Sequence, residues 1–241
     1  MSLELEPRVP NGELQVVDDV PAAFADLVAR QVGFSLADPG RLHVEPFRLV
    51  LSGGSTARSC YQRLAQERGL DWGRIECLVG DERCVPPDHP DANQRMIREV
   101  LVDRVQPHPR LLPMDCAAPL ESYQAVIAAR PHLDLVHLGL GPDGHTASLF
   151  ANSAALKAPP DRLVQHNSDP SGRNRHERLT LTLAGIARAQ LVVFTVEGAD
   201  KNEAMSRVLH HEDLPATRVH ADRVVWLCDR RAIGTETVAV G

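Results

Sequence analysis

Several predominantly apolar runs in this chain are too short for helices, and each runs straight into polar or glycine-rich residues before a helical pattern resumes. Residues 47–51, 133–138, 190–196 and 223–227 are of this kind. A strand with one solvated face must alternate apolar and polar residues, whereas a strand covered on both faces need not. Such runs, interleaved with helical segments, dictate an α/β fold: a mainly parallel sheet with helices on both faces. Ligands in such sheets bind beyond the carboxyl ends of the strands, so the residues just after each run are the ones to inspect for chemistry.

Along the chain, residues 14–17 read as a short strand. Asp19 and Pro21 then give a cap and first-turn signal for a helix over 22–36, with Phe24, Leu27, Val28 and Gln31 spaced along one face. The strand at 47–51 enters Ser52, Gly53, Gly54, Ser55 and Thr56, and a helix follows to about Glu67. A strand over 76–79 ends in Asp81, Glu82 and Arg83, and a proline-rich loop leads to a helix over 92–102. A short strand is expected at 111–114, a helix at 120–129 and a strand at 133–138. Residues 157–175 are polar, with prolines and a glycine, and read as a long loop or lid. Strands follow at 178–183, 190–196 and 223–227, with a helix from Lys201 to about Leu209. No repeat or linker interrupts the pattern, so residues 1–241 are expected to form one domain.

Composition narrows the function classes. A formal charge of −6 argues against a general nucleic-acid or membrane surface, so any anion site must be local. Five cysteines, odd in number and never in C-x-x-C spacing, read as reduced packing residues. No stretch is long enough to span a bilayer, and residues 1–6 lack a basic or apolar leader pattern, so a cytoplasmic location is expected. The histidines are spread without ligand spacing, and neither a metal nor a cofactor is expected.

Four strand-end clusters carry chemistry. Ser52 to Thr56 offer backbone amides, hydroxyls and a helix N-terminus, which together suit a phosphate or a sugar hydroxyl, although an ordinary tight turn with a capping serine has the same composition. Asp81 and Arg83 bring a carboxylate and a guanidinium, with Asn93 and Arg95 on the helix that follows. Lys201, one of only two lysines, falls at a helix start, where a cation opposes the helix dipole unless an anion sits nearby. The fourth cluster is the run DLVHLGLGPDGHTASLF over residues 134–150. Its glycines satisfy G-x-G-x-x-G, but they fall mid-chain and no acid follows about 20 residues later, so a dinucleotide site is excluded. What remains is Asp143 and His145, an acid and an imidazole two residues apart, with His145 expected in the first turn of a helix. There the dipole favours the neutral ring and Asp143 the charged one, leaving a base suited to neutral pH. His137, inside the strand, reads as a satisfied core residue.

Taken in order, LSGGST (51–56), DERCVP (81–86) with DANQRM (91–96), LGLGPDGHTASLF (138–150), RLTLT (178–182) and GADK (198–201) resemble the blocks of 6-phosphogluconolactonases, within the broader glucosamine-6-phosphate isomerase/deaminase group. The deaminase branch typically has DEY at the earlier block and I-A-F-N-E-P after the histidine. Here Asp81, Glu82, Arg83 and the sequence after His145 favour the lactonase branch. Ala151 replaces a usual proline, and Cys84 stands where an aromatic is frequent. The resemblance implies a Rossmann-like open sheet of the sugar-phosphate isomerase/deaminase type and hydrolysis of 6-phosphoglucono-1,5-lactone in the oxidative pentose phosphate pathway. It also implies Arg178 and Lys201 as phosphate ligands, with Ser52, Gly53, Gly54, Ser55 and Thr56 lining the sugar-phosphate pocket.

On this view His145 is the general base, Asp143 orients the imidazole or a sugar hydroxyl, and Arg83 or Arg95 stabilises the oxyanion beside Asp81. The expected partner is a small sugar-phosphate lactone, bound by a monomer or weak homo-oligomer. Two rivals stand beside it. One is a glucosamine-6-phosphate deaminase/isomerase with Asp81 as proton shuttle. The other is a non-catalytic sugar-phosphate sensor, which ordinarily carries a helix-turn-helix arm that the short segment before the first strand leaves no room for.

Overall fold

The chain folds around a seven-stranded sheet with every strand parallel to its neighbours, in the edge-to-edge order 13–16, 223–228, 189–196, 133–139, 47–51, 75–79 and 110–112. The structure, a computed structural model, describes residues 8–42 and 44–234; residues 1–6, where no leader is expected, lie outside them. The strands are β1 Glu13–Val16, β2 Phe47–Leu51, β3 Ile75–Val79, β4 Asp81–Arg83, β5 Arg110–Leu112, β6 Leu133–Gly139, β7 Val164–Asn167, β8 Arg178–Leu181, β9 Ala189–Val196 and β10 Arg223–Cys228. The helices are α1 Val20–Ala37, α2 Ser55–Leu64, α3 Asn93–Val100, α4 Leu120–Ala128, α5 Leu183–Ile186, α6 Asn202–Leu209 and α7 Arg230–Ile233.

Local chemistry explains the element ends. Asp19 accepts a hydrogen bond from the amide of Ala22 at 2.9 Å, satisfying an orphan donor at the start of α1, and Pro21 follows where no amide is needed. Strands β2 and β3 are buried at every position, as two covered faces require. The core continues through β9 and β10, where Phe194 and Trp226 stack at 3.9 Å with their rings 6° from coplanar. A pair of that kind adds about 0.5–1.5 kcal/mol beyond the area it buries.

The strand order places the site. From β2 the chain proceeds outward to β3 and β5, while from β6 it proceeds the other way to β9 and β10, so the order reverses between β2 and β6. A crevice opens at such a reversal, beyond the carboxyl ends of the two strands. Pairing here is confined to Leu49 with Leu135 and Val50 with Val136, so the strands part just before Ser52 and Gly139. The two glycine-bearing loops face each other across this gap.

A second sheet, antiparallel and ordered β4-β8-β7, was not expected from the sequence. Gly80 is its pivot: its amide still bonds Leu51 of the main sheet at 2.8 Å, while its carbonyl accepts from Leu181 of the small one at 2.8 Å. The segment 157–175 is therefore not the structureless loop or lid of the sequence reading, because it contains β7. Asn167 explains the anchoring: its amide donates to the carbonyl of Ser148 at 2.6 Å and to Ser153 Oγ at 3.0 Å. The cysteine expectation is also corrected. Cys84 and Cys116, 32 residues apart in sequence, meet as a disulfide between the end of β4 and the loop after β5, while Cys60, Cys77 and Cys228 are buried free thiols.

Candidate active site

The loops after β2, β4, β6 and β9 enclose a cavity of about 220 Å³, lined by residues 52–57, 139–142 and 145–147 together with Asp81, Arg83, Asn93, Thr195 and Lys201. Asp143 stands just behind that lining, bonded to the imidazole of His145.

No helix begins at His145, contrary to the sequence expectation. Residues 140–150 form a compact turn, because side chains take the backbone groups a helix would need. Asp143 Oδ1 accepts from the amide of His145 at 3.2 Å, Thr146 Oγ1 donates to the carbonyl of Gly139 at 2.9 Å, and the amide of Gly141 bonds the carbonyl of His145 at 2.8 Å. Ala147 adopts a φ of 48°. The dipole contribution to His145 therefore falls away, and among the described residues Asp143 is the charged group bonded to the ring. His145 Nδ1 lies 2.5 Å from Asp143 Oδ1. That hydrogen bond holds the Asp143 carboxyl down at about 2, against the opposing effect of its partial burial. An ionised carboxylate at this distance fixes the proton on Nδ1, which leaves the Nε2 lone pair as the ring's basic site. Phe150 packs against the ring with centroids 5.0 Å apart.

Residues 81–83 divide their work. Asp81 is buried at the cavity wall, where it accepts the Ser148 hydroxyl at 2.6 Å, while Asn93 donates to its backbone carbonyl at 2.7 Å. Glu82 turns the other way and caps α3, accepting the amides of Asn93 at 2.7 Å and Gln94 at 2.8 Å. Burial pushes the Glu82 carboxyl up, and these amide bonds oppose it. Arg83 returns to the cavity with Nη1 donating to the carbonyl of Asp91 at 2.6 Å. Arg95 is on the outside: its guanidinium bonds Glu99 Oε1 and the carbonyl of Asp88, each at 2.7 Å, and it does not line the cavity. An i,i+4 carboxylate partner on the same helix drew it away.

At the other end, Gly54 is the N-cap of α2 with a φ of 105°, which only glycine adopts readily, and no side chain caps the helix. Ser52 does not cap it either, since its hydroxyl donates to the carbonyl of His137 at 2.7 Å. The first amides of α2, in Ser55, Thr56 and Ala57, are thus left to the cavity, with the positive end of the helix dipole behind them. Gly53 has no room for a side chain, because a β-carbon there would stand 1.9 Å from Asn93 Oδ1. Lys201 lies across the cavity at the start of α6. Arg178 pairs in register with Arg83 across the small sheet, buried and outside the lining, with Nη1 lacking a partner among the described residues. Burial and the nearby Arg83 charge lower its pKa.

Two lining residues escaped the sequence reading as ligands. Asn93, given no role of its own on the helix after the Asp81 loop, is buried in the cavity wall. Thr195 is a hydroxyl inside an otherwise apolar strand end, and that mismatch is the signal that could have found it.

Over most of its length the chain is similar to known proteins. The family described as "Glucosamine-6-phosphate isomerases/6-phosphogluconolactonase" matches residues 18–226. A 6-phosphogluconolactonase of Synechocystis sp. is 37% identical over 203 residues, covering 76% of this chain and 82% of the relative. One from Nostoc sp. is 33% identical over 246 residues, covering 91% and 96%. The crystal structure of 6-phosphogluconolactonase from Thermotoga maritima superimposes with a TM-score of 0.78 at 30% identity, covering 91% of this chain and all of that one. With four strand-end loops converging on one cavity, and a family match spanning most of its length, the chain belongs to the glucosamine-6-phosphate isomerase/6-phosphogluconolactonase family.

Proposed function

We propose that this chain hydrolyses 6-phosphoglucono-1,5-lactone to 6-phosphogluconate, the lactonase step of the oxidative pentose phosphate pathway. One observation carries the mechanism: the ionised Asp143 holds His145 by Nδ1 at 2.5 Å in a ring position that lines the same cavity as Lys201 and the uncapped start of α2. A base and an anion site thus share one small space, as a phosphorylated ester substrate requires.

His145 Nε2 takes a proton from water as the water oxygen adds to the lactone carbonyl, giving a tetrahedral intermediate. The Arg83 guanidinium, held by Asp91, stabilises the oxyanion. As the intermediate collapses, the bond from carbon to the ring oxygen breaks, and His145 returns its proton to that oxygen. The product is the open-chain acid, which ionises in water. The phosphate lies against the α2 amides of Ser55 and Thr56 and the Lys201 ammonium. Arg178 adds positive potential from beneath Arg83.

Asp81 is poorly suited to shuttling protons between substrate carbons, because one of its oxygens is committed to the Ser148 hydroxyl; this favours lactone hydrolysis over the deaminase alternative. No helix among the described residues is long and apolar enough to cross a membrane, and a phosphorylated substrate that membranes retain supports a cytoplasmic reaction. The test is hydrolysis of freshly prepared 6-phosphogluconolactone, corrected for spontaneous opening, beside the unphosphorylated lactone. Rapid turnover of the first and slow turnover of the second is expected. Ammonia release from glucosamine 6-phosphate, with no lactone hydrolysis, would overturn it.

A further inference from the structure

Beneath the cavity floor lies a buried chain of polar groups that the mechanism above does not use. The Ser52 amide donates to Tyr61 Oη at 2.8 Å, Tyr61 Oη lies 2.8 Å from His137 Nδ1, and His137 Nε2 lies 2.8 Å from Thr195 Oγ1. The chain starts at the loop that opens α2 and ends at a residue of the cavity lining. His137 and Tyr61 are both fully buried. Phe24 covers the imidazole at a centroid distance of 4.2 Å and Tyr61 meets it edge-on at 5.4 Å, so the ring is fixed in place.

Hydrogen-bond accounting gives this chain a direction. Burial drives the His137 pKa down to about 3, so the ring is neutral and carries a single N–H. The Tyr61 hydroxyl has one proton and two candidate acceptors, His137 Nδ1 at 2.8 Å and the carbonyl of Ser52 at 3.2 Å. The shorter contact takes the proton, because an O–H donor favours separations near 2.7–2.8 Å. His137 Nδ1 is then an acceptor, and its N–H must be on Nε2, donating to Thr195 Oγ1. The Thr195 oxygen is occupied as an acceptor and its own proton is released. The Cys60 thiol, which also contacts Thr195, is a weak partner that does not compete with an anion for that proton.

The sheet leaves space for a ligand at this spot. Thr195 is in register with Gly139 on β6, and a β-carbon at Gly139 would meet no atom within 4 Å. In sheet order β6 lies between β9, which leads into Lys201, and β2, which leads into the α2 amides. The Thr195 hydroxyl therefore stands on the cavity floor on the strand that leads into Lys201, with β6 and its open Gly139 position separating it from the strand that leads into the α2 amides.

We infer that Thr195 is a further phosphate ligand, donating its hydroxyl proton to a phosphate oxygen, and that His137 and Tyr61 are positioning residues that hold this hydroxyl as a donor. The assignment rests on the lactonase function proposed above for its substrate, but not for its test. Binding of 6-phosphogluconate is measured by titration calorimetry on the whole chain carrying Thr195→Val, Thr195→Ser, Tyr61→Phe or the Thr195→Val and Tyr61→Phe pair. A hydrogen bond to a charged group predicts roughly tenfold weaker binding for Thr195→Val, while Thr195→Ser stays within about threefold of the unaltered protein. Tyr61→Phe should weaken binding in the Thr195 background and have no further effect beside Thr195→Val, a coupling that general loosening of the fold would not produce. Unchanged affinity in Thr195→Val overturns the ligand assignment. Equal effects of Tyr61→Phe in both backgrounds overturn the positioning role. If the unaltered chain binds 6-phosphogluconate but hydrolyses no lactone, and Thr195→Val still weakens that binding, the lactonase function falls and the Thr195 assignment stands.

Discussion

Gly141 lies flat against the imidazole of His145: a β-carbon at position 141 would fall 2.2 Å from both Nδ1 and Cε1 of the ring. The glycine is there because the His145 ring occupies the space a side chain would take, and φ at this position demands nothing special. Gly141→Ala should push the ring away from Asp143. A loss on the order of 10²-fold in kcat is expected, since small misplacement of a reacting group has that cost, with 6-phosphogluconate affinity nearly unchanged. Steady-state kinetics beside a binding titration checks this, and an alanine variant with full turnover would contradict the proposed role of the ring.

Asp143→Asn tests the orienting carboxylate separately. The amide keeps the shape but no longer fixes the proton on Nδ1, so kcat should fall by roughly 10²- to 10⁴-fold. The pH dependence follows from the depressed carboxyl. With a folded value of about 2 against an ordinary value of roughly 4, the stability Asp143 contributes is fully present above the ordinary value. It is lost as pH falls through about 2. A thermal-denaturation series from pH 7 to 2 should therefore show the Asp143→Asn protein converging with the unaltered one only at the acid end.

The two arginines flanking the proline-rich loop should behave oppositely. Arg83→Ala removes the guanidinium at the cavity and should lower kcat by about 10²-fold or more, in the range for loss of an oxyanion donor. Arg95→Ala removes an exposed i,i+4 pair with Glu99 and an exposed hydrogen bond to the carbonyl of Asp88, so stability should change little and kcat/KM should stay within about twofold. Kinetics on the two variants decides which arginine faces the substrate, and a larger defect in Arg95→Ala would contradict this assignment.

The Cys84–Cys116 bond makes a prediction about thiol counting. In protein purified without reductant and then unfolded, three thiols should titrate, those of Cys60, Cys77 and Cys228; five should titrate after reduction. Closing a loop of 32 residues stabilises a fold by about 3 to 4 kcal/mol on chain-entropy grounds. The Cys84→Ser and Cys116→Ser double variant should lose stability of that order in denaturant unfolding. Five titrating thiols before reduction would contradict the bond.

The sequence was most legible where burial is strongest. Strands β2, β3, β6, β9 and β10 need two covered faces, and their apolar runs announce it within a residue or two. The small antiparallel sheet was hidden because β4 is the charged triplet Asp81–Arg83 and β7 reads VQHN, neither of which advertises a core. The residues after Gly144 have helical composition, yet the bonds made by Asp143 and Thr146 hold them in a turn, a competition that periodicity does not register. Convergence of four strand-end clusters was readable from the general rule for open α/β sheets, and the cavity has that lining. Which members turn inward was less readable. Arg95 carried its warning in Glu99 four residues on, and Thr195 its signal as a hydroxyl in an apolar strand end, but the hydrogen bond that orients that hydroxyl is read only once His137 is seen.

The role proposed for His145 is to activate water in a site that binds the phosphorylated sugar independently of that base. Its most direct measurement is kcat for freshly prepared 6-phosphogluconolactone with His145→Ala, alongside 6-phosphogluconate affinity in the same protein. A fall of about 10²- to 10⁴-fold in kcat with affinity within about threefold is predicted. Turnover equal to that of the unaltered chain would contradict it.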